Sequence, residues 1–525
     1  MNDGTTGPGR RLDYIVLLAF ALLTAWLNLH HEPWHDELQA WRIALDSANL
    51  TELISTLRYE GHPPLFHLIL RLVGAFSRSW TAAVVVHWLI ACLAAWLVLW
   101  RAPFTQLQRI LLVAGYFFVY EYAVIVRPYG LGMCLALGAC AAWTTVPRRS
   151  GLAAVLLMLL ATTSVMGLLL SVPLAIALAT DASESSRRGW WTDARVRIRV
   201  LLAGTALAII AVAVLALVVP PTDALYQVSI DPFARHRRWM IGLAMSLPAR
   251  VLLPLAERDP DGATLWGSWL FPATDRSDVV VAGVAGVLAI VIIAAVVSRR
   301  RAALVLWLAS SVGLVGFFAF VFPGGMRHHG YLVVAFIAAT WLAAAPRRNT
   351  RHANVISGGT TLGRSQSLLF TLLLAGMVVP SVQFAVAELR EPFSDARGIA
   401  TVLSADSLAA APIVGLSYPW SQAVAALLDR PVYLPAESRR STWAARRNVI
   451  AGPAEMSLAD STVRVLLATH CRVVVLSSRR NRNEQFVWHG ARELGLPRAR
   501  PMAGSPMRAW VVVAPRCEEV VRPGD

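Results

Sequence analysis

The sequence predicts a polytopic α-helical membrane protein with about eleven transmembrane helices, interfacial helices in its first external loop and a C-terminal soluble α/β domain. Three observations predict it. Hydrophobic residues fill 56% of the 525 positions and charged residues only 15%, with a mean hydropathy of +0.55, whereas a soluble domain carries about 25% charged residues. Apolar runs recur near the ~20 residues that cross a bilayer. From about residue 386 the pattern changes to short β-rich runs alternating with helical stretches. This composition excludes disorder, a disulfide-stapled secreted scaffold and a cytosolic enzyme. The net charge of +16 comes from arginines placed mostly between apolar runs. That placement fits lipid topology rather than nucleic acid.

The first run, Tyr14 to Leu29, follows Arg10-Arg11 with no small-x-small cleavage site before His30-His31-Glu32. It predicts a retained signal anchor. Further spans are expected at about 81–100, 107–125, 129–146, 151–164, 167–180, 200–219, 279–298, 303–322, 331–345 and 367–385. The stretch 151–180 is taken as a hairpin turning near Thr162–Gly167, because arginine pairs flank both of its ends. Leu65 to Phe76 holds only twelve residues with Arg71 inside, short for a span and typical of an interfacial helix. Charge parity agrees. If 65–76 does not cross, Arg10-Arg11, Arg101, Arg109, Arg148-Arg149, Arg299-Arg300-Arg301 and Arg347-Arg348 all fall inside. Segments 30–80, 121–130, 221–278 and 323–330, and the chain after 386, then share the opposite face, periplasmic or extracellular in a bacterium. Interfacial helices are expected near Trp239–Leu255 and Trp266–Phe271.

Two domains are therefore expected, 1–385 in the membrane and 386–525 outside it. In the tail, strands at Ile413–Ser417, Val432–Leu434, Arg472–Leu476 and Ala509–Val513 alternate with helices at Ser421–Leu428, Ala459–His470 and Gln485–Leu494. This predicts a small, largely parallel sheet. No Gly-x-Gly-x-x-Gly follows its first strand, so nothing supports nucleotide binding. Cys471 and Cys517 share an oxidising face, but a parallel sheet would put them at opposite ends. Cys92, Cys134 and Cys140 lie inside spans as small apolar residues.

The polar residues gather at three places on the external face. The first loop opens His31-Glu32-Pro33-Trp34-His35-Asp36-Glu37 and continues Arg58-Tyr59-Glu60-Gly61-His62-Pro63-Pro64. Burial raises a carboxylate pKa and a nearby arginine lowers it, so an acidic pair at this boundary is a tunable base. A purely structural account has Asp36-Glu37 capping the helix that starts there. Gly61 through Pro64 force a break. That does not explain charges crowded where charge is expensive. A second tip carries Glu121, Arg127 and Tyr129; a third carries Arg327, His328 and His329. An arginine at a span end is commonly a snorkelling anchor. Arginine forks also match phosphate oxygens. His31, His35 or His62 with Asp36 are the only evident ligands for a divalent metal such as Mg or Mn, and no tight spacing such as His-Glu-x-x-His supports one. No metal site is assigned, and a divalent metal such as Mg or Mn stays an open alternative.

The signal anchor, the Asp-Glu pair opening a long first loop and the Gly-His-Pro-Pro-Leu-Phe step at 61–66 together resemble the GT-C superfamily, in the bacterial branch near ArnT and the protein O-mannosyltransferases. The Glu121…Arg127-Pro-Tyr-Gly and Arg327-His328-His329-Gly-Tyr tips resemble features of bacterial members. Gly61-His62 stands where ArnT-like relatives carry a lysine. The resemblance implies an inverting glycosyltransferase of the bacterial inner membrane, taking its sugar from a polyprenyl phosphate. The acceptor is a lipid, glycan or protein. Asp36 is then the general base, with Glu37 beside it. Arg58, Arg127 and Arg327 hold the donor phosphate, and Glu60, His62, Glu121, Tyr129, His328 and His329 support the substrates. The rival reading is a transporter or lipid flippase, which predicts ionisable residues and broken helices at mid-span and internal repeats. Apart from His87 the spans are nearly free of charge and no repeat is evident.

Overall fold

The computed structural model describes residues 8–185, 194–225, 237–256, 265–266, 275–346, 362–416, 420–478, 491–495, 501–503 and 507–517. Helix α1 (Pro8–His30) leads to three short helices, α2 (His35–Asp46), α3 (Leu50–Glu60) and α4 (Leu65–Phe76), before α5 (Trp80–Arg101). Helices α1 and α5 run antiparallel. Tyr14 near the start of α1 meets Trp100 near the end of α5 at 5.0 Å between ring centroids. Halfway along, Trp88 Nε1 donates to Thr24 Oγ1 at 3.1 Å. The loop 31–79 therefore leaves and returns at one end of the helix pair.

The helices of this loop have local causes. The Asn49 side chain caps α3 by accepting the Glu52 N–H at 2.9 Å. The helix ends on Gly61, whose φ of +66° is the left-handed conformation that glycine adopts without a Cβ penalty. At ~1.5 Å per residue, α4 is about 18 Å long, short of the ~30 Å hydrocarbon core. It buries Phe66 and Leu70 against Trp41 and Ala44 of α2 and Ala83 of α5. Its other face is bare, with Phe76 86% exposed. That amphipathic build suits a water boundary.

Among the described residues seven helices are long and apolar enough to cross a membrane: Arg10–His30, Trp80–Arg101, Val165–Ala182, Val200–Val218, Arg276–Val297, Arg301–Phe320 and Arg364–Arg390. Exposed apolar side chains such as Val281 and Val312 cover their outer faces. The chain is a multi-pass membrane protein. The other four expected spans take different forms. The 107–125 run is a short helix, Gln106–Val113, then a π-helical turn, Phe117–Glu121. Helices Pro128–Thr144, Ser150–Ala161 and Tyr331–Ala344 hold 17, 12 and 14 residues. Every residue of Tyr331–Ala344 is buried, so protein rather than lipid surrounds it. The irregular backbone at 121–127 is buried as well, the condition under which non-helical chain is tolerated at membrane depth. Of the two stretches in 221–278 expected to be interfacial helices, Trp239–Leu255 overlaps a helix, Arg237–Arg250; residues 267–271 lie outside the described residues.

The expected boundary at 385/386 falls within the helix Arg364–Arg390. Beyond it, strands β1 (Ile413–Gly415), β2 (Val432–Leu434), β3 (Arg439–Ser441), β4 (Arg472–Ser478), β5 (Arg492–Glu493) and β6 (Met507–Val513) form one sheet in the order β3-β2-β1-β4-β6-β5. Only β2-β1-β4 is parallel. The pairings of β3, β5 and β6 are antiparallel, so the sheet is mixed. Alternation sends Ile413, Val474 and Leu476 against helices Ala396–Leu403 and Trp420–Leu427. Val414, Val473 and Val475 pack against Pro453–Thr469 on the other face. Two expectations change. Residues 492–493 are a strand where a helix over Gln485–Leu494 was expected; 485–490 lie outside the described residues. Cys471 and Cys517 form a disulfide, because β6 runs antiparallel to β4 and pairs Val513 with Arg472. The start of one strand thus meets the end of the other.

Candidate active site

Trp34 precedes the first turn of α2, and the two carboxylates of that turn separate. Glu37 turns inward with no solvent exposure. Its Oε2 accepts the Trp34 N–H at 3.1 Å and lies 3.0 Å from His31 Nε2, while Oε1 accepts the Val126 N–H at 2.6 Å. Glu37 thus caps its helix and pins the irregular segment before Arg127. His31 Nδ1 lies 3.0 Å from Glu388 at the end of the long helix Arg364–Arg390. The Tyr120 hydroxyl donates to the other Glu388 oxygen.

Asp36 faces the arginines. Arg327 Nη2 donates to its Oδ2 at 2.6 Å, and Arg446 Nη2 donates to its Oδ1 at 3.0 Å. Arg127 Nη1 donates to the Asp36 carbonyl at 2.6 Å, and its Nη2 donates to His62 Nε2 at 2.6 Å. Glu60 joins through Arg446 Nε at 3.3 Å and through Gln39 Nε2, which donates to it at 2.9 Å. The Arg327 guanidinium also lies 4.8 and 5.4 Å from the ring centroids of Trp34 and Trp266, which meet edge to face at 4.9 Å, so two cation–π contacts hold the charge in place. Nε of Arg127 and Nε of Arg327 are buried N–H groups without an acceptor among the described residues.

The third tip supplies more than Arg327. Gly325, Gly330 and the short turn Met326–His329 lead into Tyr331–Ala344. A Cβ on Gly330 would overlap the Phe117 ring and the Tyr122 hydroxyl, so this close approach needs glycine. The Tyr129 hydroxyl and His328 Nε2 are 2.8 Å apart, His328 Nδ1 accepts the Gly325 N–H at 2.9 Å, and His329 Nε2 donates to the Pro323 carbonyl at 2.8 Å. Glu121 accepts from Tyr116 and from Trp266 Nε1. Arg58 stands apart. It is exposed on α3 and makes none of the cluster's bonds.

The electrostatics divide the site. Burial works against a charge on His31, but Glu37 and Glu388 outweigh it and push the pKa up to about 10. His31 is thus an imidazolium between two carboxylates. Burial also opposes ionisation of Asp36; His35 and the guanidiniums of Arg327, Arg127 and Arg446 overcome it and hold the carboxyl well below its usual range. Burial raises Glu60 against the pull of Arg446. Burial and neighbouring arginines push His62 and His328 well down and His35 to about 4, so these rings are neutral acceptors or donors. Among the described residues no three His, Cys, Asp or Glu side chains gather as a metal site. Both nitrogens of His31 and both oxygens of Asp36 already have partners, whereas Nδ1 of His35 has none among the described residues.

Of the residues singled out from sequence, Asp36, Glu60, His62, Arg127 and Arg327 meet in one cluster, with Glu37, Glu121, Tyr129, His328 and His329 around it. Arg446, Glu388, Gln39 and Trp266 were not foreseen as members of the site: Arg446 and Glu388 come from segments whose local pattern carries no motif, Gln39 is an uncharged side chain one turn beyond Asp36 on α2, and Trp266 was expected only at the start of an interfacial helix.

No family model and no curated protein matches the chain. Among solved structures, that of ArnT from Cupriavidus metallidurans bound to undecaprenyl phosphate aligns with a TM-score of 0.50, covering 96% of this chain and 98% of that one at 13% identity. The fold is ArnT-like. ArnT from the same organism in the apo state aligns at 0.41, over 98% of both chains, also at 13% identity. The likeness to ArnT extends over nearly the whole chain.

Proposed function

We propose that the chain is a membrane glycosyltransferase that moves a sugar from a polyprenyl-phosphate donor to an acceptor on the external face of the bacterial inner membrane, with inversion. One observation carries this reading: Asp36, buried beside the membrane, is surrounded by three guanidiniums from three distant segments in an ArnT-like fold. Arginine forks suit phosphate oxygens. Nε–H of Arg127 and of Arg327, buried without an acceptor among the described residues, have the donor character that a phosphate would satisfy.

In this reading the acceptor hydroxyl gives its proton to Asp36 as its oxygen attacks the anomeric carbon. The bond from that carbon to the phosphate oxygen breaks, and its electron pair leaves on polyprenyl phosphate. The transition state is oxocarbenium-like, and attack opposite the leaving group inverts the centre. A phosphate leaves without protonation, so one base suffices. Arg127 and Arg327 stabilise the charge growing on it, an effect for which each well-placed donor is worth about a hundredfold or more in rate. Glu37 fixes the turn that presents Asp36 and Arg127. The neutral His62 buttresses Arg127, and the Tyr129–His328 pair lines the same end of the bundle.

The test is release of polyprenyl phosphate from a polyprenyl-phosphate sugar by purified protein, with membrane extract as the source of acceptor. Wild type is expected to release it, and Arg127→Gln to lose donor use more than acceptor use. Absence of any release, or of bound polyprenyl lipid in extracts of the purified protein, counts against the proposal.

A further inference from the structure

We infer that Arg446 is a ligand for the donor phosphate, delivered by the segment 437–448 and held on Asp36 and Glu60 until the phosphate draws it away. This inference rests on the function proposed above.

The segment is built to deliver a side chain. Gln39 clamps it through two hydrogen bonds to one residue: its Nε2 donates to the Ala444 carbonyl at 2.6 Å and its Oε1 accepts the Ala444 N–H at 2.8 Å. Glu437 accepts the N–H groups of Ala445 and Arg446 at 3.0 and 2.9 Å. The Arg446 carbonyl accepts the Leu225 N–H at 2.8 Å, and Arg447 pairs with Asp223 at 2.8 Å. Thr442 reaches Asp46 at 2.7 Å. Between these fastenings Arg446 adopts φ +55°, the left-handed conformation that costs a side-chain-bearing residue and persists where surrounding contacts impose it. The result is a guanidinium aimed back across the first loop, 11% exposed, reaching Asp36 at 3.0 Å and Glu60 at 3.3 Å.

Charge complementarity names the ligand. Among the described residues Arg327 and Arg446 pair with Asp36 and Arg446 reaches Glu60, whereas Arg127 donates to the Asp36 carbonyl and to His62 and meets no carboxylate, and burial favours the neutral form of Glu60. Such a cluster is short of negative charge, and a phosphate supplies it. The pairing also has a chemical consequence. With Arg327 on Oδ2 and Arg446 on Oδ1, both oxygens of Asp36 are covered. Transfer of Arg446 to a phosphate oxygen uncovers Oδ1 for an acceptor hydroxyl, so donor binding and release of the base become one event.

The experiment measures binding of undecaprenyl phosphate, and of uncharged undecaprenol, to the full-length protein in detergent, with thermal unfolding followed for each variant. Wild type should prefer the phosphate. Arg446→Gln should weaken phosphate binding about tenfold or more, the scale of one lost charged hydrogen bond, and leave undecaprenol binding unchanged. Arg446→Lys should recover part of the loss. Gln39→Leu, which releases the clamp and keeps the arginine, should also weaken it. Equal or tighter phosphate binding by Arg446→Gln overturns the inference and leaves the proposed function standing. If Arg446→Gln does not fold, undiminished phosphate binding by both Arg446→Lys and Gln39→Leu overturns it. A wild type that binds the two lipids alike counts against the proposed function itself.

Discussion

Asp36 and Glu37 are adjacent on one helical turn, yet their carboxylates belong to different networks. Asp36 takes guanidiniums on both oxygens, whereas Glu37 takes an imidazolium and two backbone N–H groups. One is a charged group in the site; the other fastens the site together. Removing one partner of a buried ion pair leaves the other charge uncompensated, at a cost of about 3–5 kcal/mol.

Glu37→Leu, which removes every bond that the Glu37 side chain makes, is therefore expected to destabilise the protein more than Asp36→Asn, whose amide oxygen still accepts one of the two guanidiniums. Thermal unfolding in detergent checks this, and equal midpoints for the two variants would place both carboxylates in the same role.

The His31 pair has a pH signature. Its pKa in the folded protein, about 10, is raised above the ordinary 6.5, so the native state holds the proton more tightly than the unfolded chain. The stabilisation is full below about pH 6.5 and is lost as pH rises through about 10. The stability difference between wild type and His31→Gln should shrink across that window. A difference that grows with pH contradicts the assignment.

The antiparallel pairing of α1 with α5 places residue 79 on the same side as residue 31. Single cysteines at Ser55 and Ser79 should label together with an impermeant thiol reagent in intact cells. A cysteine at the exposed Val146, beside the arginine pair 148–149, should label only after permeabilisation. Labelling of Ser79 with the Val146 set would separate the acidic pair from the arginine tips.

The membrane character was legible because long apolar runs are a local property of sequence. So were the short helix α4, from its twelve-residue length, and the cluster's five arms Asp36, Glu60, His62, Arg127 and Arg327, from charges set where charge is costly. Span count was less legible: an apolar run facing protein, such as Tyr331–Ala344, has the composition of one facing lipid. Arg446 was illegible because its position depends on contacts such as that between Gln39 and Ala444, separated by 405 residues. The Cys471–Cys517 bond depended on β6 running against β4, a direction that alternation of elements does not reveal.

The most direct measurement is single-turnover sugar transfer by Asp36→Asn with a polyprenyl-phosphate sugar. The asparagine keeps the shape of the side chain and removes the base. Donor binding is expected to persist while the rate falls by roughly 10²–10⁴, the usual worth of general-base catalysis. Transfer at a near-normal rate by a folded Asp36→Asn would contradict the role assigned to Asp36.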